Sequence, residues 1–596
     1  MQGRSGRARG LTIEILTHPR RANPLVGPQP RLRSPTRIFW TILVLCLSGC
    51  TTIGEYIDNG FKVGPNYKRP PAPVAEHWID AGDVRVRSQE PDDSHWWTVF
   101  NDPVLNDLIQ TAYRQNLTLR EAGFRVLQAR AQLGIAVGQL FPQSQVMDGD
   151  YTRRGVSRNV ANRVATPQRW FSQWDYGFRL AWEIDFWGRF RRAIEAADDT
   201  LDASVENYDD VLVTLLGDVA TTYVQIRTLQ QQIAYARQTL ELQRQSLAIA
   251  KAKFQGGQTS KVDVNQGQSD VSNTEALIEQ LFISLREATN RLCILMGMPP
   301  EDILRKLGDA PIPTAPPDVA VGVPANLLRR RPDVRRDERL AAAQCAEIGI
   351  AEAAFYPAIS IDGSFGWSAQ ELRHLFAPGS FRGHIGPAFQ WDILNYGRIL
   401  NNVRLQDARF QELVAHYQNT VLKAAEDVED GLVTFLRAQF QTRDENESVN
   451  AETEAFKEAL AQYQGGLVDY NRVVLIQERL LERQQSLAQA QGEVATGLIQ
   501  VYRALGGGWQ IRCSPGASSA LGAVPTQQPV PAEELPDPRS VAAKPMPPSD
   551  TGACLVFVVQ PLPVSADYQR PRPTATPPTS GYGYADGGGA SAESRR

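Results

Sequence analysis

From Trp170 to Arg189 the chain reads WFSQWDYGFRLAWEIDFWGR. Its even positions through Phe186 carry Trp170, Trp174, Tyr176, Phe178, Leu180, Trp182 and Ile184, with Ser172 the one polar member. The odd positions from Gln173 on read Asp175, Gly177, Arg179, Ala181, Glu183 and Asp185. A period of two with one aromatic-rich face and one charged face is a strand. Past Gly188-Arg189 the period becomes seven: Val205, Leu212, Val219, Ile226, Ile233, Leu240, Leu247, Phe254. The intervening positions Tyr208, Leu215, Thr222, Leu229, Ala236, Gln243 and Ala250 are mostly apolar or small. That sustained repeat predicts a coiled-coil helix. No proline interrupts it, and as one helix it spans roughly 100 Å at about 1.5 Å per residue.

The stretch recurs. Trp182 to Arg189 returns as Trp391-Asp-Ile-Leu-Asn-Tyr-Gly397-Arg398, at an offset of 209, and Phe254-Gln255-Gly256-Gly257 returns as Tyr463-Gln464-Gly465-Gly466 at the same offset. Everything between the two matches is therefore equally long in both halves. The second run keeps the heptad phase with Val414, Val421, Val428, Phe435, Thr442, Val449, Phe456 and Tyr463. Upstream, Gly134-Ile135-Ala136 with Phe141-Pro142 matches Gly349-Ile350-Ala351 with Tyr356-Pro357 at an offset of 215. A period this long is a duplicated half-domain, not a solenoid unit.

Each long helix ends in a Gly-Gly turn and is followed by a second helical stretch, about 259–297 and 468–505, so each half holds a helical hairpin. An opening helix is predicted over 104–140, after the cap Asp102 and Pro103. Its counterpart starts at Pro332-Asp333 and runs to about 355. Further strands are read near 143–153, over 359–367, where Ile359, Ile361, Phe365 and Trp367 alternate with polar or small residues, and over 385–393, where Ile385, Phe389, Trp391 and Ile393 do so.

Such stripes also occur on the core face of a soluble sandwich. Here they sit between rod-like helices with no second sheet to cover them. Apolar-out, polar-in strands with aromatic belts suit an outer-membrane barrel, where lipid replaces the core. Four strands cannot close one, so copies of the chain must combine to remove the sheet edges; two, three or four copies all satisfy the pattern. Asp175, Arg179, Glu183, Asp185 and Asp392 would then face the pore.

Residues 38–47 form an apolar run of signal-peptide length preceded by Arg31, Arg33 and Arg37. The run ends in Leu47-Ser48-Gly49-Cys50, which resembles a lipobox, so Cys50 is expected to receive lipid and become the mature N-terminus. Thr51 in place of Asp points to the outer membrane. No cofactor other than that covalent lipid is expected.

Composition closes off other classes. Net charge is −4 over 596 residues, with no basic excess to neutralise nucleic-acid phosphates. Six cysteines and six histidines are too few and too scattered for a disulfide framework or a histidine metal centre. No apolar stretch is long enough for a polytopic helical membrane protein. There is no phosphate loop, GxSxG, HExxH or zinc cysteine pair, so no catalytic residue is assigned.

Val63-Gly64-Pro65-Asn66-Tyr67-Lys68-Arg69-Pro70 and Trp96-Trp97-Thr98-Val99-Phe100-Asn101-Asp102-Pro103-Val104-Leu105 resemble the opening of NodT-type lipoproteins of the TolC-like outer-membrane efflux channel family. Asn116-Leu117-Thr118-Leu119, Arg330-Arg331-Pro332-Asp333-Val334-Arg335 and the elbows Gly188-Arg189 and Gly397-Arg398 add to the likeness, which covers about 50–507. The resemblance implies a mainly α chain with membrane β-strands: a homotrimer with a shared twelve-stranded barrel and a coiled-coil helical tunnel. It implies a passive, gated exit duct for small molecules. Its partners would be a periplasmic adaptor protein and an inner-membrane RND-type pump. A coiled-coil adaptor lipoprotein and a type I secretion duct are the alternative readings.

The resemblance places the adaptor-contacting helical tips at Gly256, Gly257, Gly465 and Gly466, and the gate on the adjoining returning helices. Family members often carry carboxylates on the second of these; here the positions read Arg472 and Leu475, with Asp263 at the place of Arg472 in the first repeat. Asp263 and Arg472 are therefore expected to form a charged latch, with Asp469 and Tyr463 as secondary candidates; both charges would otherwise be solvated surface. The expected organisation is a leader over 1–49, a lipidated N-terminal and equatorial segment over 50–101, repeats over 102–311 and 312–506, and a disordered tail over 507–596 that holds 15 of the 39 prolines.

Overall fold

The computed structural model describes residues 52–89, 93–157, 159, 161 and 168–513. The lipobox and most of the C-terminal tail lie outside them. In chain order the main elements are α1 (Ile53–Asp58), α2 (Pro103–Gln115), α3 (Leu117–Gly138), β1 (Ser144–Gly155), β2 (Trp170–Ile184), α4 (Arg189–Gln255), α5 (Lys261–Leu295), α6 (Pro332–Ala353), β3 (Ala358–Ala369), β4 (Phe381–Gln390), α7 (Arg398–Gln464) and α8 (Tyr470–Ala504). They fall into two compact units. The first holds residues up to Asn66, Pro142–Arg192 and Ala346–Arg404; the second holds Tyr67–Phe141, Ala193–Cys345 and the chain from Leu405 onward.

The duplication is visible in the helix ends. α4 and α7 each have 67 residues, α5 and α8 each have 35, and α3 and α6 each have 22. The first two pairs begin and end at the offset of 209, and the third at 215.

In the first unit the four strands form one antiparallel sheet in the order β1-β2-β3-β4. Tyr151 lies opposite Trp174, Phe178 opposite Phe365 and Trp367 opposite Phe381. These pairs put the rings on one face: Phe178 stacks on Phe365 at 5.4 Å and Tyr151 tilts against Trp174 at 4.6 Å. β4 stops at Gln390, short of the strand expected to reach Ile393. Trp391 turns away there, and its indole Nε1 donates to the Phe355 carbonyl at 2.9 Å.

In the second unit the heptad residues Leu212, Val219, Ile226, Ile233, Leu240 and Leu247 are all buried, as are Val421, Val428, Phe435, Phe456 and Tyr463 on α7. Each such side chain contributes about 1.5–3 kcal/mol relative to exposure. The interior becomes polar toward the Gln255 end of α4. There Thr239 meets Gln484 at 3.2 Å and the Gln477 amide donates to Ser246 at 3.0 Å.

Two further expectations need correction. The opening helix is two helices, because Asn116 ends α2 and starts α3. Its side chain accepts from the Leu119 N–H at 2.8 Å and donates to the Leu295 carbonyl at 2.8 Å, which fixes the break. The ordered chain also runs past 507. Trp509–Cys513 form a 3₁₀ turn with Ile511 buried, and Arg512 pairs with Asp209, whose side chain is fully buried. Asp209 needs that guanidinium, since an unpaired buried carboxylate is costly.

Candidate functional site: the helical tips and the strand face

The two tips are built alike. Gly257 and Gly466 have φ of 70° and 75°, the left-handed region that glycine takes without strain. The Gln258 N–H donates to the Lys253 carbonyl at 2.9 Å, and the Leu467 N–H does the same to Gln462 at 2.9 Å. These are the six-to-one bonds of a helix ending in a left-handed cap, and they close each hairpin. Gly256 and Gly465 precede these caps, and both are exposed.

Of the four latch candidates, Asp263 and Tyr463 are neighbours within one chain: burial, with the charge of Asp263 adding to it, pushes the Tyr463 phenol up. Asp263 is half-buried and accepts a hydrogen bond from the Thr259 hydroxyl. Arg472 is exposed, and its guanidinium makes no hydrogen bond or ion pair among the described residues. Asp469 is exposed at the N-cap of α8 without capping it, whereas its counterpart Ser260 caps α5 through the Val262 N–H at 3.2 Å. Tyr463 is buried, and Lys253 lies 4.5 Å over its ring while donating to its carbonyl. Tyr463 is thus part of the tip core, tilted against Tyr470 at 5.2 Å.

The structure adds a residue that the sequence did not single out. Asp270, one heptad beyond Asp263, is 8% exposed, and its Oδ2 has no hydrogen-bond partner. Burial, with the negative charge of Glu478 adding to it, pushes its carboxyl up to about 6. The available signal was the duplication itself: Asp263 and Asp270 on α5 correspond to Arg472 and Arg479 on α8. α5 and α8 touch here, with the Gln266 amide donating to Asn471 at 2.9 Å.

On the sheet, the polar face is a lattice of cross-strand charges. Arg179 pairs with Asp148 at 3.0 Å, and Arg382 reaches Asp175 at 2.8 Å across two strands. That reach exists because Gly177 and Gly366 lie opposite one another and leave the path empty. Glu183 pairs with Arg189 at the first elbow and Asp392 with Arg398 at the second. Asp185 is a correction. It accepts from the N–H groups of Phe190 and Arg191 at 3.0 Å each, and its side chain is 6% exposed, so it caps α4 and does not line a pore. The opposite face is apolar and bare: Trp170, Phe178, Phe365, Phe381, Ile385 and Phe389 are all exposed in the single chain. Glycines 188 and 397 turn both elbows at φ of 82° and 80°.

A family model described as outer membrane efflux protein matches residues 108–298 and 323–507, more than half of the chain. The chain belongs to the outer membrane efflux protein family. It is 28% identical over 484 residues to "Nodulation protein T" of Rhizobium leguminosarum bv. trifolii, covering 80% of this chain and 98% of that protein. It is 30% identical over 489 residues to the "Toluene efflux pump outer membrane protein TtgF" of Pseudomonas putida, covering 78% and 96%. The solved outer-membrane channel OprN is similar with a TM-score of 0.70 and 28% identity, over 75% of this chain and 99% of that one. VceC of Vibrio cholerae matches with a TM-score of 0.65 and 25% identity, over 70% and 100%.

Membership agrees with the geometry. OprN is described as an outer-membrane channel and VceC as an outer membrane protein. The bare aromatic face of the sheet is the lipid face, its charged face is the channel face, and the open edges of β1 and β4 are where copies join. This chain is an outer-membrane efflux channel subunit, and members of its family are transport ducts, not enzymes. Among the described residues no helix is long and apolar enough to cross a membrane.

Proposed function

We propose that three copies of this chain form the passive exit duct of a tripartite efflux system, with a periplasmic adaptor docked on the Gly256-Gly257 and Gly465-Gly466 tips and an inner-membrane RND-type pump supplying the energy. The observation that supports this reading most is the tip itself. Two hairpins of matched length end in glycine caps beside Leu467 and Val262, which are 79% and 68% exposed. In this reading the adaptor covers these two side chains.

Cys50 carries the lipid anchor in this reading, in keeping with the similarity to the "Probable outer membrane lipoprotein SilC" of Salmonella typhimurium, 27% identical over 471 residues. The gate is a latch between copies. Arg472 presents a free guanidinium at the tip, and Asp263 of another copy is the carboxylate of matching repeat position. An exposed pair is worth only about 0–1 kcal/mol, so three-fold repetition is what makes such a latch effective.

Retention of a fluorescent efflux dye tests the reading. Deleting the gene should raise retention and the full chain should restore export. A chain carrying Val262→Asp and Leu467→Asp should assemble yet fail to export. Restored export with both tip substitutions in place would contradict docking at this surface.

A further inference from the structure

The segment just after the lipobox is strapped to the first elbow. Thr52 and Glu55 form a capping box at the start of α1. The Tyr56 hydroxyl donates to the Phe186 carbonyl at 2.7 Å, and its ring stacks on Phe186 at 6.4 Å. The Val63 N–H donates to the Trp187 carbonyl at 3.1 Å. Arg191 donates to the carbonyls of Gly60 and Phe61 at 2.9 and 2.8 Å while its Nε pairs with Asp185 at 3.0 Å. Arg192 donates to the carbonyls of Val63 and Gly64 at 3.1 and 2.9 Å.

The strap holds an unfavourable turn. Gly60 and Phe61 are both left-handed, with φ of 70° and 62°, and an aromatic residue rarely takes that conformation. Its outcome is an outward Phe61 at 56% exposure beside Ile57 at 55% and Phe186 at 48%. Among the described residues Tyr56 packs against the rings of Phe61 and Phe186, and about half of each of the three side chains stays exposed. The second elbow has no such device: Leu394, Leu400 and Asn401 stand where Asp185, Arg191 and Arg192 stand in the first. The strap therefore belongs to the one elbow that receives the N-terminal segment.

We infer that Ile57, Phe61 and Phe186 form a second membrane contact, seated in the acyl-chain boundary of the phospholipid leaflet at the foot of the barrel. Two observations select lipid as the occupant. Phe186 lies two residues past Ile184, the last residue of β2, so the patch sits at the end of the strand whose aromatic face is bare. Cys50 lies two residues before Thr52, and a chain of that length reaches no more than about 7 Å. Acyl chains on Cys50 would thus enter the membrane beside the patch, and a single acyl anchor gains from a second signal of this kind. The inference rests on the reading of Cys50 given above.

The test uses the full-length oligomer reconstituted in vesicles of phosphatidylethanolamine and phosphatidylglycerol. Ile57→benzoylphenylalanine and, separately, Phe61→benzoylphenylalanine are irradiated and digested, and phospholipid adducts are read by mass spectrometry. Val84→benzoylphenylalanine is the control, because Val84 is 94% exposed and lies outside the patch. Adduct yields at 57 and 61 at least tenfold above position 84, reduced by Arg191→Ala, support the inference. Yields at both positions no greater than at 84 overturn it. The same digest reports whether Cys50 is acylated. Adducts without acylation keep the patch and remove the anchor; acylation without adducts keeps the anchor and removes the patch.

Discussion

Gly267 on α5 lies directly beneath the Tyr470 ring of α8: a Cβ at 267 would come within 2.4 Å of the Tyr470 hydroxyl and 3.1 Å of Leu247 Cδ1. The returning helices of the two repeats meet near the tip through a residue with no side chain. Tyr470 is 2% exposed, so the ring has no free direction in which to yield.

Gly267→Ala should therefore loosen the tip, at a cost of about 1–3 kcal/mol for overpacking, and raise single-channel conductance. Adding Tyr470→Phe removes the closest atom and should recover part of the loss. Thermal unfolding of both single variants and the double variant checks this. A double variant whose loss equals the two single losses combined would show that the contact carries no coupling.

Asp270 should make the tip respond to pH. Its folded-state carboxyl is raised to about 6 from the usual 3.8. The folded chain thus holds a proton that the unfolded chain releases between those values, so this residue's contribution is fully present below pH 3.8 and is lost as pH rises through 6. Asp270→Asn should stabilise the protein by about 1 kcal/mol at pH 7.5, with the gain shrinking toward pH 4.5. Glu206 and Asp199, raised to about 7 and about 6 by burial, titrate in the same window. The informative quantity is accordingly the difference in melting temperature between variant and parent at each pH.

Gly366 should be indispensable to the sheet. A Cβ there would meet the Tyr176 carbonyl oxygen at 2.4 Å and the Gly177 Cα at 2.7 Å, both backbone atoms that cannot swing aside. Gly366→Val is expected to abolish the heat-resistant oligomer in outer-membrane extracts. Gly386→Ala, at a position where an added Cβ meets nothing within 4 Å, should leave that oligomer intact.

The latch between copies is tested by Asp263→Ala and Arg472→Ala. Each should raise conductance of the reconstituted channel, and the charge-swapped pair Asp263→Arg with Arg472→Asp should restore the closed level. Unchanged conductance in both single variants would remove the latch.

Most of the architecture was legible because it rests on periodicity. The heptads and the offset of 209 placed α4, α5, α7 and α8 within a few residues, and alternation placed β2 and β3; β1 was only faintly marked, and the run over 385–393 missed the start of β4 at Phe381 and overran its end at Gln390. What stayed hidden depends on side chains that meet across the fold. Asn116 breaks the opening helix because Leu295, far along the chain, offers it a carbonyl. Asp185 reads as one more charge on an alternating strand, yet it is spent on the N–H groups of Phe190 and Arg191. Asp270 differs from Asp263 in its burial and in an Oδ2 without a partner, which no local pattern encodes. The turn over Trp509–Cys513 sits at the edge of a proline-rich composition, and the pairing of Arg512 with the buried Asp209 is not visible in it.

The most direct test of the channel assignment is planar-bilayer conductance of the purified oligomer together with its mass in detergent. The account expects a trimer with small, gated conductance that rises in the tip variants. A monomer or dimer that passes no current would contradict the barrel and leave the long helical hairpins as a scaffold instead of a duct.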